Sequence, residues 1–365
     1  MILFNKFQSE PHELIFNEIE AVTRVIKSGS YVLGSELKNF EQKWAHYCGV
    51  NYAIGVANGM DAIEIGLRSL GITAGDEIIT TAMTAYASIL AIVRVGATPV
   101  FADIDPKTGL LSIESAVSCI SKKTKAVLLV HLYGHMHDLD RWKQECLSRN
   151  IFLLEDCAQS HGAKWDSISA GGYGEFGAYS FYPTKNLGAL GDAGAIITNN
   201  DNLESNARII SNYGQSERYH HPVQGVNSRL DEIQAAILVE RLDFLDAFIK
   251  RRQEIAGMYG EGFTTSKIEL MSPPRDVENH VYHLFVVKST QRNELAKHLQ
   301  ENKIATLLHY PIPAHKQKAN IDFKIAPNGL IHTESHADIC LSIPCNPQMT
   351  DEEVTYVIDK INEFR

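Results

Sequence analysis

The sequence lacks the features that mark secreted, membrane-spanning and nucleic-acid-binding proteins. Its six cysteines form no Cys-x-x-Cys pair, and a chain of 365 residues is too long for a disulfide scaffold. No apolar run approaches the ~20 residues that span a bilayer, and the N-terminus carries acids where a secretory leader is basic and apolar. The formal net charge is −10 and no block of Lys and Arg occurs, which argues against nucleic acid as a partner. We therefore expect a cytoplasmic protein with reduced thiols.

Short apolar runs alternate with helical patterns over the first two-thirds of the chain, which is typical of a mostly parallel sheet flanked by helices. The pattern predicts strands at 52–56, 77–81, 98–103, 126–131, 151–155, 178–181 and 195–198, and helices near 60–70 and 230–255. Beyond residue 260 it predicts a strand at 280–287 and helices near 292–302 and 351–364. The sequence therefore predicts a large α/β domain (residues 1–245) and a smaller C-terminal α/β domain (246–365).

Two polar residues follow apolar runs in a way that indicates one shared site. Asp156 comes just after the run at 151–154, and Lys185 lies in an aromatic, proline-containing segment after the predicted strand at 178–181. Ligands of parallel sheets bind beyond the carboxyl ends of the strands. A lysine and a carboxylate there suit pyridoxal phosphate, because the lysine forms a Schiff base with its aldehyde and the acid keeps its ring nitrogen protonated. Either residue alone has an ordinary explanation, as a surface charge or a helix cap, so the prediction depends on the pair.

The phosphate of such a cofactor is a dianion, which helix N-termini bind through free N–H groups and the helix dipole. Asn58, Gly59 and Met60 open a predicted helix after the first strand, and Gly59 permits close approach of the backbone. Ser180 can add a hydroxyl, although an ordinary strand–helix turn explains the same residues. Arg229 lies in the first turn of another predicted helix, where a cation opposes the dipole, so we expect it to bind a phosphate or carboxylate.

The segment from His309 to His315 is a rigid loop that contains two prolines, a tyrosine and two histidines. Histidines at this spacing raise the question of a metal ion, but no Cys, Asp or Glu joins them at ligand spacing. We therefore predict no metal site. A doubly wound dehydrogenase is also disfavoured, because the turn after the first predicted strand does not contain the Gly-x-Gly-x-x-Gly pattern.

Several segments together resemble the DegT-type nucleotide-sugar aminotransferases, pyridoxal phosphate enzymes of fold type I in the aspartate aminotransferase superfamily. The resemblance runs nearly end to end, and residues 28–34, 58–62, 96–101, 155–162, 180–187 and 227–236 carry it. It implies a fold type I α/β architecture, transaminase activity, and a homodimer with shared active sites.

The resemblance also implies a role for individual residues. Lys185 would bind the cofactor and move protons, Asp156 would pair with the ring nitrogen, and Gln159 would lie beside the 3-oxygen of the ring. The implied phosphate contacts are Gly59, Met60, Ser180 and, reaching across from the second subunit, Asn227. The implied substrate contacts are Arg229, His309 and Tyr310.

One position departs from the family pattern. The family usually has an aromatic residue directly after a threonine here, and that residue stacks on the pyridine ring. This sequence reads Thr84-Ala85-Tyr86. Either Tyr86 takes the stacking role or the ring packs against another residue.

Within the family, residues 219–229 and the loop from His309 to His315 look most like enzymes that aminate carbon 3 of a dTDP-3-keto-6-deoxyhexose, with glutamate as the donor inferred from likeness. Such products enter surface polysaccharides, including O-antigens and S-layer glycans, and glycosylated antibiotics. Amination at carbon 4 of a 4-keto sugar is the alternative, and the sugar configuration and nucleotide stay open. A dehydratase of this fold would carry histidine in place of Lys185. A non-catalytic regulator of this fold is a remote alternative, because both Lys185 and Asp156 are present.

Overall fold

The computed structural model describes residues 1–319 and 321–365 and shows an α/β fold with one large and one small sheet. The strands in chain order are β1 (Tyr52–Val56), β2 (Glu77–Thr81), β3 (Thr98–Ala102), β4 (Thr124–Val130), β5 (Phe152–Asp156), β6 (Lys164–Trp165), β7 (Ile168–Ser169), β8 (Gly177–Ser180), β9 (Gly194–Thr198), β10 (Glu269–Leu270), β11 (Phe285–Lys288), β12 (Lys324–Ile325) and β13 (Cys340–Ile343). The α-helices are α1 (His12–Ser28), α2 (Ser35–Cys48), α3 (Gly59–Ser69), α4 (Tyr86–Arg94), α5 (Ile113–Ser118), α6 (Leu139–Arg149), α7 (Asp201–Ser211), α8 (Glu232–Leu242), α9 (Leu245–Gly262), α10 (Arg292–Glu301), α11 (Ile331–Ile339) and α12 (Asp351–Asn362).

The large sheet has eight strands in the order β1-β9-β8-β5-β4-β2-β3-β12. From β8 to β12 all neighbours are parallel, whereas β9 runs antiparallel to both β1 and β8. The prediction of a mostly parallel sheet is therefore confirmed. Parallel pairing brings the carboxyl ends of β2, β4, β5 and β8 to the same edge, where ligands of such sheets bind.

Helices cover both faces of the large sheet. Strand β4 shows why the strands of this sheet are continuous apolar runs in the sequence. Ala126 and Leu128 pack into a core with side chains of α3 and α4. Val127 and Leu129 pack into a second core with side chains of α2 and α8. Successive side chains of a strand point to opposite faces, so a strand covered on both sides is apolar throughout.

The small sheet has the antiparallel order β10-β11-β13 and packs with α9, α10 and α12 around a core of its own. Apart from Ile2, the buried residues of this core all come from beyond residue 245. Strand β12 also lies beyond that residue but pairs with β3 in the large sheet. The division into residues 1–245 and 246–365 stays a prediction. Among the described residues, no helix is both long enough and apolar enough to cross a bilayer.

Two elements predicted from sequence differ in the structure. The single helix predicted at 230–255 is two helices, α8 and α9, because the chain makes a tight turn in which the Phe244 N–H donates to the Arg241 carbonyl at 3.1 Å. The strand predicted at 280–287 begins only at Phe285. Tyr282 has a φ of 43°, in the left-handed region, which an extended strand does not accommodate.

Candidate active site

The carboxyl edge of the large sheet brings the two central predicted residues together. Asp156 is the last residue of β5 and is 6% exposed. Lys185 follows β8, the neighbouring strand, and is partly buried. The charge of Lys185 lowers the pKa of Asp156, and the charge of Asp156 raises that of Lys185. The structure therefore places the predicted lysine and carboxylate at one sheet edge, and their roles toward a cofactor stay predictions.

Burial moves the protonation of both groups away from their ordinary values. Burial lowers the pKa of Lys185, and the negative charge of Asp156 opposes that effect only in part. Burial also raises the pKa of Asp156, against the lowering effects of a hydrogen bond from Ser88, the Ala158 N–H, and the charges of Lys185 and His131. A lysine with a lowered pKa has more of the neutral amine that nucleophilic and proton-transfer chemistry requires.

Asp156 is held in place by donors from two segments. The hydroxyl of Ser88 donates to Oδ2 at 2.7 Å, and the Ala158 N–H donates to Oδ1 at 3.1 Å. Ser88 lies in α4, and its oxygen is 2.9 Å from the hydroxyl of Thr84. The sequence did not indicate Ser88, because a serine in the first turn of a helix carries no signal of a partner 68 residues away.

The N-terminus of α3 forms a cradle that suits a phosphate group. The Asn58 side chain accepts a hydrogen bond from the Asp61 N–H at 2.8 Å and caps the helix. The N–H groups of Gly59 and Met60 are left free for a ligand, because the first N–H groups of a helix have no intrahelical acceptor. A Cβ atom at Gly59 would lie 2.7 Å from the Cβ of Ser180, so only glycine fits there. The structure therefore brings Gly59, the first residue of α3, into close contact with Ser180, and the assignment of Gly59, Met60 and Ser180 to a phosphate stays a prediction.

The predicted residues of the loop from His309 to His315 approach the same edge through Gln159. The Gln159 Nε2 donates to the Tyr310 hydroxyl oxygen at 3.2 Å, and its Oε1 accepts from the Tyr133 N–H at 2.6 Å. The Tyr133 hydroxyl donates to the His309 carbonyl at 2.6 Å. Burial, together with the charge of Asp156, raises the pKa of Tyr310 to about 12, so its hydroxyl keeps its proton and can donate a hydrogen bond. Tyr133 was not predicted, because its contacts join it to residues 26 and 176 positions away in the chain, which only the packed fold defines.

Two predicted residues lie in the segment before α8 and do not join this cluster within one chain. Because α8 begins at Glu232, the expectation that Arg229 lies in the first turn of a helix is wrong. Asn227 is exposed and forms a β-bridge with Asn212. Arg229 donates to the Asn212 side chain at 3.2 Å, and its guanidinium lies 5.1 Å from the centre of the Tyr213 ring. The assignments of Asn227 to the phosphate in a second subunit and of Arg229 to the substrate stay predictions.

Tyr86, the candidate for stacking on the ring, is the first residue of α4. It packs beside a cluster that includes Phe101, Ala314 and Leu330, and its hydroxyl is buried without a hydrogen-bond partner in the described residues. The neighbouring Ala85 offers no ring. The stacking role of Tyr86 stays a prediction.

These features fit pyridoxal phosphate by the chemistry of the donor set. The cradle at α3 offers N–H groups to a dianion, Asp156 offers a buried carboxylate to a ring nitrogen, and Lys185 offers an amine of lowered pKa to an aldehyde. All three lie at the carboxyl edge of one mostly parallel sheet.

Comparison with known proteins places this arrangement in a family. Residues 13–362 match the DegT/DnrJ/EryC1/StrS aminotransferase family. A dTDP-3-amino-3,6-dideoxy-alpha-D-galactopyranose transaminase from Aneurinibacillus thermoaerophilus is 43% identical over 345 residues, 94% of each chain. A protein named pleiotropic regulatory protein from Geobacillus stearothermophilus is 39% identical over 359 residues, 98% of this chain and 96% of that one.

The fold agrees with solved structures of related enzymes. The crystal structure of DesV from S. venezuelae, in complex with a ketimine intermediate, has a TM-score of 0.94 and 39% sequence identity. The match covers 99% of this chain and 98% of that one. The predicted fold type I architecture, aminotransferase activity and pyridoxal phosphate cofactor are therefore confirmed. The chain belongs to the DegT/DnrJ/EryC1/StrS aminotransferase family.

Proposed function

We propose that the protein transfers an amino group from glutamate to carbon 3 of a dTDP-linked 3-keto-6-deoxyhexose. The observation that best supports amino transfer is that Lys185, Asp156 and the phosphate cradle at Gly59 lie at the same edge of the sheet. The choice of carbon 3 and of dTDP is supported by the Aneurinibacillus relative, whose name specifies a dTDP-3-amino sugar. The product would serve the synthesis of surface polysaccharides, such as O-antigens or S-layer glycans.

Bound pyridoxal phosphate supplies an aldehyde that accepts the amino group and a ring that withdraws electrons. The Nζ of Lys185 is the group that takes a proton from the α-carbon of glutamate and later returns one to the sugar. That role requires a neutral amine near pH 7, which agrees with the lowered pKa of Lys185. Tyr310, which keeps its proton, can donate a hydrogen bond to a sugar oxygen.

Asp156 holds a proton at the ring nitrogen and thereby keeps the ring electron-poor. Its carboxylate accepts hydrogen bonds from Ser88 and from the Ala158 N–H, and both favour the ionised form that a protonated ring needs beside it. Because Asp156 is almost fully buried, water competes little with this contact. The residue acts by electrostatics and position: burial raises its pKa, and the two hydrogen bonds and the charge of Lys185 oppose that shift.

We also propose a homodimer in which each active site uses residues of both subunits. Phe16, Ile19 and Ile26 are more than half exposed and share one side of α1, at the helical spacings of three and seven residues. The segment from Tyr31 to Leu33 adds further exposed apolar side chains. Exposed apolar surface of this kind marks protein–protein contacts. A second copy seated there would allow Asn227 to reach the phosphate of its neighbour.

A cytoplasmic location completes the proposal. All six cysteine thiols are free, and five of them are buried. Disulfides are rare where thiols are kept reduced, and a transaminase that draws on glutamate and a nucleotide sugar needs the compartment that holds both.

The deciding experiment is an amination assay with glutamate and added pyridoxal phosphate. Three acceptors are offered separately: dTDP-3-keto-6-deoxyglucose, dTDP-3-keto-6-deoxygalactose and dTDP-4-keto-6-deoxyglucose. Mass spectrometry identifies the product. Amination of a 3-keto sugar alone is expected, and the preferred epimer identifies the configuration at carbon 4. Amination of the 4-keto sugar alone would retain the chemistry and overturn the choice of carbon.

A regulator without enzymatic activity is the second candidate, because the Geobacillus relative carries a regulatory name. The same assay separates the two candidates. A regulator would bind cofactor or sugar nucleotide without aminated product from any of the three acceptors. Turnover with any acceptor would leave the regulatory role without support as the primary function.

A further inference from the structure

A buried arginine near Lys185 uses only one end of its guanidinium within the described structure. Arg252 lies in α9 and is 7% exposed. Its Nη1 donates to three backbone carbonyls, those of Tyr282 at 3.2 Å, His283 at 3.4 Å and Cys345 at 2.5 Å. These contacts fix the orientation of the guanidinium between two segments of the chain.

The opposite edge of the same guanidinium is free. Within residues 1–319 and 321–365, the buried Nε of Arg252 has no hydrogen-bond partner, and the hydrogen bonds of the side chain all involve Nη1. In a guanidinium, Nε–H and one Nη2–H point in the same direction and form a two-pronged donor. That fork matches the two oxygens of a carboxylate.

A small cavity connects Arg252 with the catalytic lysine. It has a volume of about 30 Å³, and its lining includes one carboxylate residue, Glu10, together with Lys6, Lys185, Asn186, Arg241 and Arg252. A water molecule needs about 10–15 Å³ by this measure, so the space accommodates roughly two waters or one carboxylate group. A diphosphate or a sugar ring does not fit.

Some of the cations around this cavity form ion pairs with carboxylates, whereas Arg252 does not. Lys6 lies 2.8 Å from Glu353, and Arg241 forms ion pairs with both Glu10 and Glu18. Among the described residues, no carboxylate lies within ion-pair distance of Arg252.

His283 adds no compensating charge to the surroundings of Arg252. After burial, the positive charges of Lys185 and Arg252 are the largest causes that lower the pKa of this imidazole. Its Nδ1 lies 3.2 Å from the Asn186 Oδ1, an oxygen that accepts but cannot donate. Nδ1 therefore carries the proton, and the neutral ring leaves the charge of Arg252 unbalanced. Burying an unpaired charge is costly, so an anion is expected beside the free edge.

We propose that the free Nε–Nη2 edge of Arg252 binds the α-carboxylate of the amino donor. The inference rests on the proposed transaminase function. In every α-amino acid the carboxylate is attached to the carbon that bears the amine, and that amine must reach the group that Lys185 serves. A carboxylate receptor must therefore lie beside Lys185, and the shared cavity meets this condition. The sugar substrate carries no carboxylate, so Arg252 serves only the half of the reaction that consumes the amino acid.

The kinetic test compares Arg252→Lys with Arg251→Lys. Lysine keeps the positive charge but loses the fork, and Arg251 is a neighbour on the same helix that pairs with Asp351. For Arg252→Lys we expect the KM for glutamate to rise at least tenfold, while the KM for the keto sugar changes less than twofold. Arg251→Lys should change neither. An equal loss for both substrates would assign Arg252 to structure alone and overturn the proposal.

A binding test needs no turnover. The protein loaded with pyridoxal phosphate, which has no amino group to transfer to a keto acid, is titrated calorimetrically with 2-oxoglutarate, and separately with dTDP. We expect Arg252→Lys to weaken 2-oxoglutarate at least tenfold and to leave dTDP unchanged. Unchanged 2-oxoglutarate affinity would contradict the proposal. If the wild-type enzyme aminates no sugar, the proposed function fails, whereas this titration still decides whether Arg252 receives a carboxylate.

A third measurement uses the wild-type protein, in case Arg252→Lys does not fold. Crystals soaked in sodium bromide are expected to show an anomalous peak within hydrogen-bond distance of the Arg252 Nε–Nη2 edge, and 2-oxoglutarate should displace it. A peak that 2-oxoglutarate does not displace would show a halide site only, and an empty edge would show that no anion binds. Either result would overturn the proposal.

Discussion

Glu155 and Asp156 are consecutive carboxylates at the end of β5, and they point to opposite sides of the sheet. Glu155 is fully buried and accepts four hydrogen bonds, from the N–H groups of Gly171, Tyr173 and Gly174 and from the His131 ring. Asp156 accepts two and faces Lys185. The first carboxylate has no capacity left for a ligand, whereas the second keeps lone pairs for one.

The number of hydrogen bonds that a buried carboxylate accepts from the protein shows whether it can also bind a ligand. Glu155, His131 and Cys157 offer potential metal-ligand atoms within 4.8 Å of one another. Both oxygens of Glu155 are nevertheless occupied by N–H donors, so the cluster is explained as a brace for the loop that contains Gly171 to Gly174. We call the side of β5 with Asp156, Ser88 and Lys185 the site face, and the side with Glu155, His131 and His137 the brace face.

The largest effect is expected on the site face, from Lys185→Ala. Removal of the amine should abolish turnover and the absorbance of cofactor attached to the protein. Lys185 is the one lysine of the described structure whose charge shifts the pKa of Asp156. Stability should change little. Mass spectrometry of the sugar product and the visible spectrum give the readout, with the exposed Lys250→Ala as control. Turnover that survives in Lys185→Ala would remove this lysine from the reaction.

The next effect is expected from Asp156→Asn. The amide can keep the hydrogen bond from Ser88 but carries no charge to hold a proton at the ring nitrogen. We expect cofactor to bind and kcat to fall on the order of 10³-fold, in the range of positioned acid–base groups. The exposed Asp166→Asn is the matched control. A rate close to that of the wild type would show that the site face does not depend on this carboxylate.

The sequence predicts the site face better than the brace face, for a physical reason. Lys185, Asp156 and Gly59 lie just after strands or open a helix, and parallel pairing then places them at one edge. Ser88 and Arg252 were not predicted, because their contacts join segments 68 and 93 residues apart, which only the packed fold defines. Strand β11 begins later than predicted because Tyr282 has a left-handed backbone conformation, which cannot be predicted from its residue type.

On the brace face, Glu155→Gln should reduce stability and spare catalysis. The amide nitrogen of glutamine cannot accept the hydrogen bonds that one carboxylate oxygen now receives, so buried N–H groups lose their acceptor. Each such group costs about 1–3 kcal/mol, and each oxygen of Glu155 accepts two hydrogen bonds, which gives an expected loss of about 2–6 kcal/mol in the free energy of unfolding. Urea unfolding measures it, and the exposed Glu114→Gln is the control. If Glu155→Gln stays stable but loses turnover, the division between the two faces is wrong.

The smallest effect concerns pH and His137, which extends the brace. The Leu111 N–H donates to His137 Nε2 at 3.2 Å, so its Nδ1 carries the proton and donates to His131 Nδ1 at 3.2 Å. His131 Nε2 then carries a proton for Glu155. Protonation of His137 would place a proton on Nε2, which could then no longer accept the hydrogen bond from the Leu111 N–H. Burial, with the charges of His131 and His135, lowers its pKa well below 6.5.

The sign of the pH effect follows from that lowered pKa. Below about pH 6.5 the unfolded chain takes up a proton at His137 that the folded chain does not, so stability is present above this pH and is lost as the pH falls. One such group contributes a slope of up to about 1.4 kcal/mol per pH unit. His137→Gln should reduce the slope of unfolding free energy between pH 6.5 and 5 by up to that amount, while the exposed His12→Gln should not. If His137→Gln leaves the pH dependence of the unfolding free energy unchanged, protonation of His137 does not cause the loss of stability in acid.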